Sequence, residues 1–344
     1  VCWAVFRPYP CEFQKRLIMN KPSISTKIPV TVITGFLGSG KTTLLNHVLS
    51  QQHGRKVAVI INEFGEINID GQLVVKGGNE ELIEFNNGCL CCTVRGDLVE
   101  TINKLLERDD TLDAILIETT GLADPAPVAS TFFVGDGIRE GTRLDAFVTV
   151  VDAVNIEKNL EQSHEAQEQL AFADIILVNK SDLVSEETMT RLGHLIRRLN
   201  PLARMHNTTQ GLIDLSEIIN TNAFQLEAKL QVDPTFLEDI THEHDAAVTS
   251  IVLRESKPVD MNRFMAWITP LLEEQGDAVF RTKGVFNAKG FNQRVVFQSV
   301  RMLTTMSRFT DWESDIKRGT EYVVIGRNLD RNALQAGLSS CISH

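Results

Sequence analysis

A glycine-rich segment between a β-branched run and a helical pattern constrains the fold of this chain most strongly. Residues 30–43 read VTVITGFLGSGKTT, so three glycines separate a strand-forming run from a segment with helical spacing. A strand, a glycine-rich turn and a helix in this order form the start of a βα unit. Repeated βα units build a parallel sheet that is covered by helices. We therefore predict an α/β fold that begins at this segment.

Further βα units follow along the first two thirds of the chain. The predicted strands are 30–34, 57–61, 114–117, 146–151 and 175–178, which are short apolar runs rich in Val and Ile. Between them, apolar residues recur at helical spacing, as in 98–106 and 189–199. This alternation predicts a doubly wound, mostly parallel sheet.

A second unit of different pattern ends the chain. Strands are predicted at 250–253, 284–288, 294–300 and 321–326, with a helix over 261–272 and a final helix that Asp330 caps. We expect a smaller α+β domain with a largely antiparallel sheet. The predicted boundaries are a disordered or non-native leader at 1–27, the first domain at 28–224, a linker at 225–247 and the second domain at 248–344.

Composition excludes several classes of protein. Among 344 residues, 43% are hydrophobic and 23% are charged, which is typical of a globular protein. The formal net charge of −11 argues against a nucleic-acid surface, and no apolar run is long enough to predict a membrane span. Six cysteines are too few for a disulfide scaffold of this size, so we expect reduced thiols and a cytoplasmic location.

The glycine-rich segment has the spacing of a phosphate-binding loop, in the strand–loop–helix context that such a loop requires. Its backbone N–H groups can surround phosphate oxygens, Lys41 can reach the terminal phosphates, and the Thr42 hydroxyl can ligate Mg²⁺. A glycine-rich turn that binds nothing is the alternative. The residues predicted to line the nucleotide site are Gly35, Gly38, Ser39, Gly40, Lys41, Thr42 and Thr43.

A second motif predicts which base is bound. Asn179, Lys180 and Asp182 directly follow a predicted strand. A carboxylate at Asp182 can accept hydrogen bonds from the N1–H and the exocyclic amine of guanine, whereas adenine presents an acceptor at N1. The motif therefore favours GTP over ATP. A capped turn before the next helix is the alternative interpretation.

The strand at 114–117 leads into Glu118 and Gly121. Glu118 can hold a Mg²⁺-bound water or position the attacking water, and the Gly121 N–H can meet the γ-phosphate. We predict Lys41, Thr42 and Glu118 as the catalytic residues, and we assign no water-orienting glutamine. Asp152, at the end of another strand, lies near the expected site, although an acid in this position more often caps a helix.

Three cysteines lie within four residues, at Cys89, Cys91 and Cys92, and two acids, Glu63 and Glu66, precede them. Thiolates suit Zn²⁺, and a tetrahedral site would take a fourth ligand from Glu63, Glu66, a histidine, water or a partner. An incomplete ligand set favours metal transfer over permanent binding. The alternative is that the cysteines are buried free thiols. The histidines at 242 and 244, in the predicted linker, are weak supplementary candidates.

Together these motifs resemble the CobW-like family of P-loop GTPases. The segments that carry the resemblance are TGFLGSGKTTLLNHVL, NEFGE, GCLCC, ETTGLADP and VNKSD, with RTKGVF, VVFQSV and VVIGRNLD towards the C-terminus. The resemblance covers about residues 29–340. Some relatives carry an acid where this chain has Ile61, and the His-rich insertion of several members is nearly absent, which weakens a storage role.

The resemblance implies GTP binding, slow hydrolysis to GDP, metal binding at the cysteines and delivery of the metal to a client metalloprotein. Zn²⁺ is the first expectation, with Co²⁺ or Ni²⁺ as alternatives. The implied nucleotide residues are Gly40, Lys41, Thr42, Asn179, Lys180 and Asp182, with Glu118 beside Mg²⁺. The implied metal ligands are Cys89, Cys91 and Cys92 with Glu63 or Glu66.

We therefore predict a GTP-hydrolysing metal chaperone that needs no nucleic acid or membrane and can form a nucleotide-dependent homodimer. One alternative is a GTP-responsive metal sensor or buffer without client delivery. A second is a cobalt-handling protein of cobalamin biosynthesis. A P-loop kinase is a third, but we find no small-molecule substrate signature in the sequence.

Overall fold

Two β-sheets organise this chain. The computed structural model describes residues 27–51, 54–62, 81–85, 93–107, 112–134, 136–224, 248–312 and 317–342. Within these ranges, one sheet has seven strands and the other has five. The predicted linker at 225–247 lies outside the described residues, as does the predicted leader except for Lys27.

The first sheet is parallel and brings its loops to one edge. Its strands are β1 (Ile28–Thr34), β2 (Val57–Asn62), β3 (Glu81–Phe85), β4 (Ala114–Glu118), β5 (Thr142–Asp152), β6 (Ile175–Asn179) and β7 (Arg204–Asn207). They follow the order β3-β2-β4-β1-β5-β6-β7, and each neighbouring pair is parallel. The loops after β1, β4, β5 and β6 therefore leave from the same edge, where ligands bind in folds of this kind.

Helices cover both faces of this sheet. They are α1 (Lys41–Ser50), α2 (Thr93–Leu106), α3 (Pro125–Val134), α4 (Asp136–Gly141), α5 (Ile156–Gln162), α6 (His164–Phe172) and α7 (Glu186–Leu199). Successive strand side chains point to opposite faces. Accordingly, Val32 of β1 packs in one hydrophobic core with Phe147, while Ile33 packs in a second core with Leu44 of α1. The predicted doubly wound fold is confirmed.

The second sheet is antiparallel. It consists of β8 (Val248–Glu255), β9 (Val279–Phe286), β10 (Gln293–Val300), β11 (Leu303–Asp311) and β12 (Thr320–Arg327), with helices α8 (Met261–Glu274) and α9 (Arg331–Ser340). The strand order is β11-β10-β9-β12-β8. Asp330 caps α9 as expected, because its carboxylate accepts the N–H groups of Asn332 and Ala333.

The two faces of the second sheet have different partners. On one face, Phe264 of α8 packs against the rings of Phe286 and Tyr322, 4.5 and 5.4 Å away between centroids. On the other face, Phe280 of β9 joins the core of the first sheet, and its ring lies 6.5 Å from that of Phe172 at the end of α6. The two domains therefore share a hydrophobic core.

Three strands were not predicted from the sequence, and all three are edge strands: β3, β7 and β11. The sequence of β7, RMHN, contains no apolar run, yet the segment pairs in parallel with β6 from Arg204 to Asn207. An edge strand is covered on fewer sides than a central one, so it can form on the ladder hydrogen bonds of its neighbour without a buried apolar run.

Candidate functional site

The loop between β1 and α1 requires glycine at two positions. Gly35 and Gly40 have φ angles of 141° and 107°. A Cβ atom at Gly35 would lie 2.2 Å from the Val150 carbonyl oxygen, and one at Gly40 would lie 2.2 Å from the Asn179 Nδ2 atom. Other side chains are therefore excluded by both conformation and contact. Glycine at both positions thus lets the loop pack closely against the ends of β5 and β6.

The same loop carries the features that phosphate binding needs. Gly40 gives no side-chain cap to α1, so the first N–H groups of this helix are available to an anion. The buried Lys41 ammonium donates to the carbonyl oxygens of Gly35 and Phe36, at 2.8 and 3.3 Å. The ammonium is thus held directly over the loop.

Three hydroxyl groups around the loop are buried and lack a hydrogen-bond partner within the described part of the chain. They belong to Thr34, Ser39 and Thr120. Buried hydroxyls are normally hydrogen-bonded, and unpaired ones call for an explanation. Phosphate oxygens and Mg²⁺-bound water are suitable partners, so these three hydroxyl groups fit a nucleoside triphosphate with its metal ion.

The loop that follows β4 lies against the phosphate loop. Glu118 ends β4 in register with Ile33 of β1, and its side chain is only 6% exposed. The Thr119 N–H donates to the Ile33 carbonyl oxygen at 3.0 Å. A Cβ at Gly121 would come within 2.6 Å of the Leu37 side chain. The structure therefore brings the predicted Glu118 and Gly121 next to the predicted phosphate loop.

Asn179 and Lys180 brace the phosphate loop from β6. The Asn179 amide donates to the Ser39 carbonyl oxygen at 2.9 Å, and its Oδ1 atom accepts the Gly211 N–H at 3.0 Å. The Lys180 ammonium donates to the Gly38 carbonyl oxygen at 2.9 Å. Asp182 lies on the adjoining single helical turn, Ser181–Leu183, and is exposed. These residues lie at the edge of the sheet that carries the phosphate loop.

Asp152 has a larger part in this site than its sequence position indicated. Its carboxylate accepts the Val154 N–H at 2.9 Å in the turn before α5 and pairs with the Lys180 ammonium at 2.7 Å. Asn155 is the N-cap of α5, so the helix-capping role expected for Asp152 is wrong. Burial by itself would raise the pKa of Asp152, but hydrogen bonds from Lys180 and Asn155 hold that pKa below its ordinary value. Asp152 therefore stays ionised and keeps Lys180 over the phosphate loop.

Gln169 of α6 was missed by the sequence analysis. Its side-chain amide, buried with the residue only 1% exposed, donates to the carbonyl oxygens of Gly121 and Ala123, at 3.0 and 3.2 Å. These hydrogen bonds fix the loop after β4 to helix α6. No sequence signal could have identified this residue, because it lies in a helix 48 residues beyond Gly121.

The predicted metal ligands lie outside the described residues; they are Glu63, Glu66, Cys89, Cys91 and Cys92. The described strand ends on either side of them are adjacent, since Asn62 of β2 and Phe85 of β3 are register partners. Within the described ranges, no cluster of three or more His, Cys, Asp or Glu side chains could hold a metal ion. No helix within these ranges is both long and apolar enough to cross a membrane.

Comparisons with known proteins agree with this geometry. The family described as "CobW/HypB/UreG, nucleotide-binding domain" matches residues 29–207, and "Cobalamin synthesis protein cobW C-terminal domain" matches residues 248–342. Zinc chaperone YjiA of Escherichia coli (strain K12) is 36% identical over 91% of this chain and 98% of its own length. Zinc-regulated GTPase metalloprotein activator 1 of Schizosaccharomyces pombe is 34% identical over 92% of this chain and 86% of its own length.

The same relationship holds in three dimensions. The crystal structure of Zn(II)-bound YjiA GTPase from E. coli superposes with a TM-score of 0.75 and 31% identity, and covers 92% of this chain and 99% of that chain. Sequence and fold thus agree over both domains. The chain belongs to the CobW/HypB/UreG family of P-loop GTPases.

Proposed function

We propose that this protein uses GTP binding and hydrolysis to control the capture and release of Zn²⁺, which it delivers to a client metalloprotein. The names of its relatives support zinc as the metal, because they include a zinc chaperone and a zinc-regulated GTPase metalloprotein activator. Zinc is the cargo in this proposal. GTP and its Mg²⁺ provide the energy and the timing.

The described geometry supports the nucleotide roles that we propose. Lys41 would bind the terminal phosphates, the Thr42 hydroxyl would hold Mg²⁺, and Glu118 would hold a water beside the metal ion. Asp182 selects guanine through its exposed carboxylate. Bound Mg²⁺ would neutralise charge on the phosphate oxygens, as in related phosphoryl-transfer sites. The buried hydroxyls of Thr34 and Ser39, which lack partners in the described chain, support this assignment.

The pairing of β2 with β3 is the observation that carries the metal proposal. Glu63 follows Asn62 directly in the chain, and the three cysteines lie between Phe85 and the start of α2 at Thr93. Asn62 and Phe85 are register partners in parallel strands. The segment that contains Glu63 and the segment that contains the three cysteines therefore both begin at adjacent positions on the same edge of the sheet. That edge also carries the phosphate loop. A nucleotide-dependent change at this edge can therefore alter the metal site.

The first experiment is an anaerobic titration of the reduced protein with Zn²⁺ and Co²⁺, in the presence of GDP or of a non-hydrolysable GTP analogue. Cobalt–thiolate absorption reports cysteine ligands directly. We expect the metal affinity to differ between the two nucleotide states, because coupling between two sites is reciprocal. Equal affinities in both states would contradict nucleotide control.

Two variants sharpen this titration. A complete zinc site contributes about 10 to 16 kcal/mol, so losing two thiolates in Cys91→Ala/Cys92→Ala should weaken Zn²⁺ binding by roughly 100-fold or more. Cys341→Ala is the matched control, since Cys341 is buried beside α9 and its thiol donates to the Gly337 carbonyl oxygen. A double variant that binds Zn²⁺ as tightly as the parent would show that these cysteines are not the ligands.

A further inference from the structure

The loop of residues 119–124, which follows Glu118, ends in a carboxylate that contacts the other domain. The Oδ1 atom of Asp124 accepts the Ala126 N–H at 2.9 Å, at the start of α3. The Oδ2 atom accepts a hydrogen bond from the Arg301 guanidinium at 2.9 Å. Arg301 belongs to the C-terminal domain, in the turn between β10 and β11. An ion pair thus connects the 119–124 loop to the second domain.

Arg301 is held firmly by its own domain. Its backbone has a φ of 48°, and its N–H donates to the Phe280 carbonyl oxygen at 2.9 Å. Its guanidinium lies 5.8 Å from the centre of the Phe280 ring, and a second nitrogen donates to Asp277 at 3.2 Å. The guanidinium therefore reaches Asp124 from a fixed position rather than as a free surface side chain.

Helix α6 connects to both sides of this contact. Gln169 holds the carbonyl oxygens of the 119–124 loop, as described above. The preceding residue, Glu168, lies 3.6 Å from Arg301 and 3.4 Å from Arg327 of β12. Burial and the nearby Asp124 raise the pKa of Glu168 above its ordinary value, while the two arginines oppose that rise. The loop, α6 and the C-terminal domain are therefore parts of one polar network.

We propose that Arg301 is a positioning residue for GTP hydrolysis, which fixes the 119–124 loop through Asp124 and so makes the hydrolysis rate depend on the C-terminal domain. The inference rests on the proposed roles of Glu118, directly before that loop, and of Gly121 within it. A ligand of the C-terminal domain that draws Arg301 away from Asp124 changes hydrolysis without touching the nucleotide.

Because the ion pair between Asp124 and Arg301 holds the 119–124 loop, we expect its loss to lower the hydrolysis rate and not the nucleotide affinity. The P-loop and the loop of Asn179 and Lys180 contain neither Asp124 nor Arg301, so GDP affinity should stay within about 2-fold of the parent value. The catalytic rate depends on the loop after Glu118, and small displacements of positioning groups can lower rates strongly. We expect the hydrolysis rate of Arg301→Met to fall by roughly 10-fold, with most of the rate restored in Arg301→Lys.

Single-turnover hydrolysis of GTP and fluorescent-GDP binding, measured on the full chain, test the proposal. Asp124→Asn removes the ion pair from the other side while its side-chain oxygen can still accept the Ala126 N–H. The double variant Asp124→Asn/Arg301→Met should be no slower than the slower single variant, because both changes remove one interaction. Arg254→Met is the matched control, since Arg254 pairs with Glu321 inside the second sheet.

Three results would overturn the proposal: hydrolysis at the parent rate in both single variants, a parallel loss of GDP affinity, or rate losses that multiply in the double variant. Where Arg301→Met does not fold, Asp124→Asn provides the same measurement. Glu118→Gln separates this inference from the proposed function. If Glu118→Gln is impaired and the Arg301 variants are not, only the inference fails; if Glu118→Gln hydrolyses GTP normally, the role assigned to Glu118 fails.

Discussion

The position of Asp182, which we propose selects guanine through its carboxylate, depends on its neighbours. Lys180, with a φ of 59°, starts the turn, and the Leu183 N–H closes it onto the Lys180 carbonyl oxygen at 3.0 Å. The turn leaves Asp182 exposed at the edge that carries the phosphate loop. A substitution at this residue therefore tests the proposed base selectivity without altering the phosphate loop.

Replacing Asp182 by Asn should shift the preference from guanine to xanthine nucleotides. Xanthine carries a carbonyl group where guanine has its exocyclic amine, and an asparagine amide can donate to that carbonyl. Hydrogen bonds to a charged group contribute about 1.5 to 3 kcal/mol, so GDP affinity should fall roughly 10- to 100-fold. Competition of fluorescent GDP by GDP and XDP measures the shift. Asp214→Asn, a turn-capping residue elsewhere, is the control; an unchanged guanine preference in Asp182→Asn would rule out the assigned role.

At the scale of elements, the packing of α9 on α8 explains a glycine inside a helix. A Cβ atom at Gly337 would lie 2.2 Å from the Nε1 and Cε2 atoms of the Trp267 indole. Glycine normally weakens a helix interior, so its presence here reflects close approach rather than helix propensity. The indole fills the space that a side chain would occupy, which fixes how the two helices cross.

Gly337→Ala should therefore destabilise the C-terminal domain, although alanine favours helices. Forcing a methyl group into packed atoms costs about 1 to 3 kcal/mol. Gly193→Ala in α7 is a matched control, because its new Cβ atom would meet only the Met205 methyl at 4.0 Å. That control should be neutral or stabilising by up to about 1 kcal/mol. Urea unfolding measures the change in the free energy of unfolding for both variants. Equal changes in the two variants would refute the packing explanation.

At the scale of the whole molecule, a buried ion cluster joins the domains. Asp174, which precedes β6, pairs with Arg281 and with the Lys283 ammonium at 2.8 Å, both from β9. The Asp174 carboxylate also accepts the Phe147 N–H at 2.9 Å. Burial and the adjacent Arg281 lower the pKa of Lys283 to about 8. One carboxylate thus compensates two buried cations at the contact between the sheets.

Asp174→Asn should destabilise the protein at pH 7 by about 3 to 5 kcal/mol, because it leaves buried cations uncompensated. Burial would raise the pKa of Asp174, but Arg281 and Lys283 hold it below its ordinary value of 3.8 in the folded chain. The unfolded chain therefore takes up this proton at higher pH than the folded chain. The stabilisation that the ionised Asp174 carboxylate provides is present above about pH 4. It is lost as the pH falls through the pKa of Asp174 in the folded chain.

Urea unfolding of parent and Asp174→Asn should thus show a free-energy difference that narrows below about pH 4. Adding Arg281→Met and Lys283→Met to Asp174→Asn should restore most of the lost stability at pH 7, since no buried charge then remains unpaired. Two results would contradict this role of Asp174: a loss of less than about 1 kcal/mol in the free energy of unfolding of Asp174→Asn at pH 7, or a difference from the parent that widens as the pH falls.

Local sequence predicted the central strands and much of the nucleotide site. The runs predicted at β1, β4, β5 and β6 are mostly apolar because central parallel strands are buried on both faces. The glycines at 35 and 40, with Lys41, occupy fixed spacing along the chain, so their joint placement needs no distant contact. The polar edge strands β7 and β11 escaped prediction, because their pairing with a neighbour, rather than their own pattern, holds them.

The sequence by itself determined that a phosphate loop follows a buried strand, and that an Asn-Lys-Ser-Asp motif follows another strand. Both are chemical arrangements within a few consecutive residues. Only the tertiary structure decided that Asp152 holds Lys180, that Gln169 holds the loop after Glu118, and that Arg301 reaches Asp124 across 177 residues of chain. Long-range pairs of this kind depend on the order of the strands in the sheet and on the packing of the two domains. No local pattern of side chains encodes that geometry.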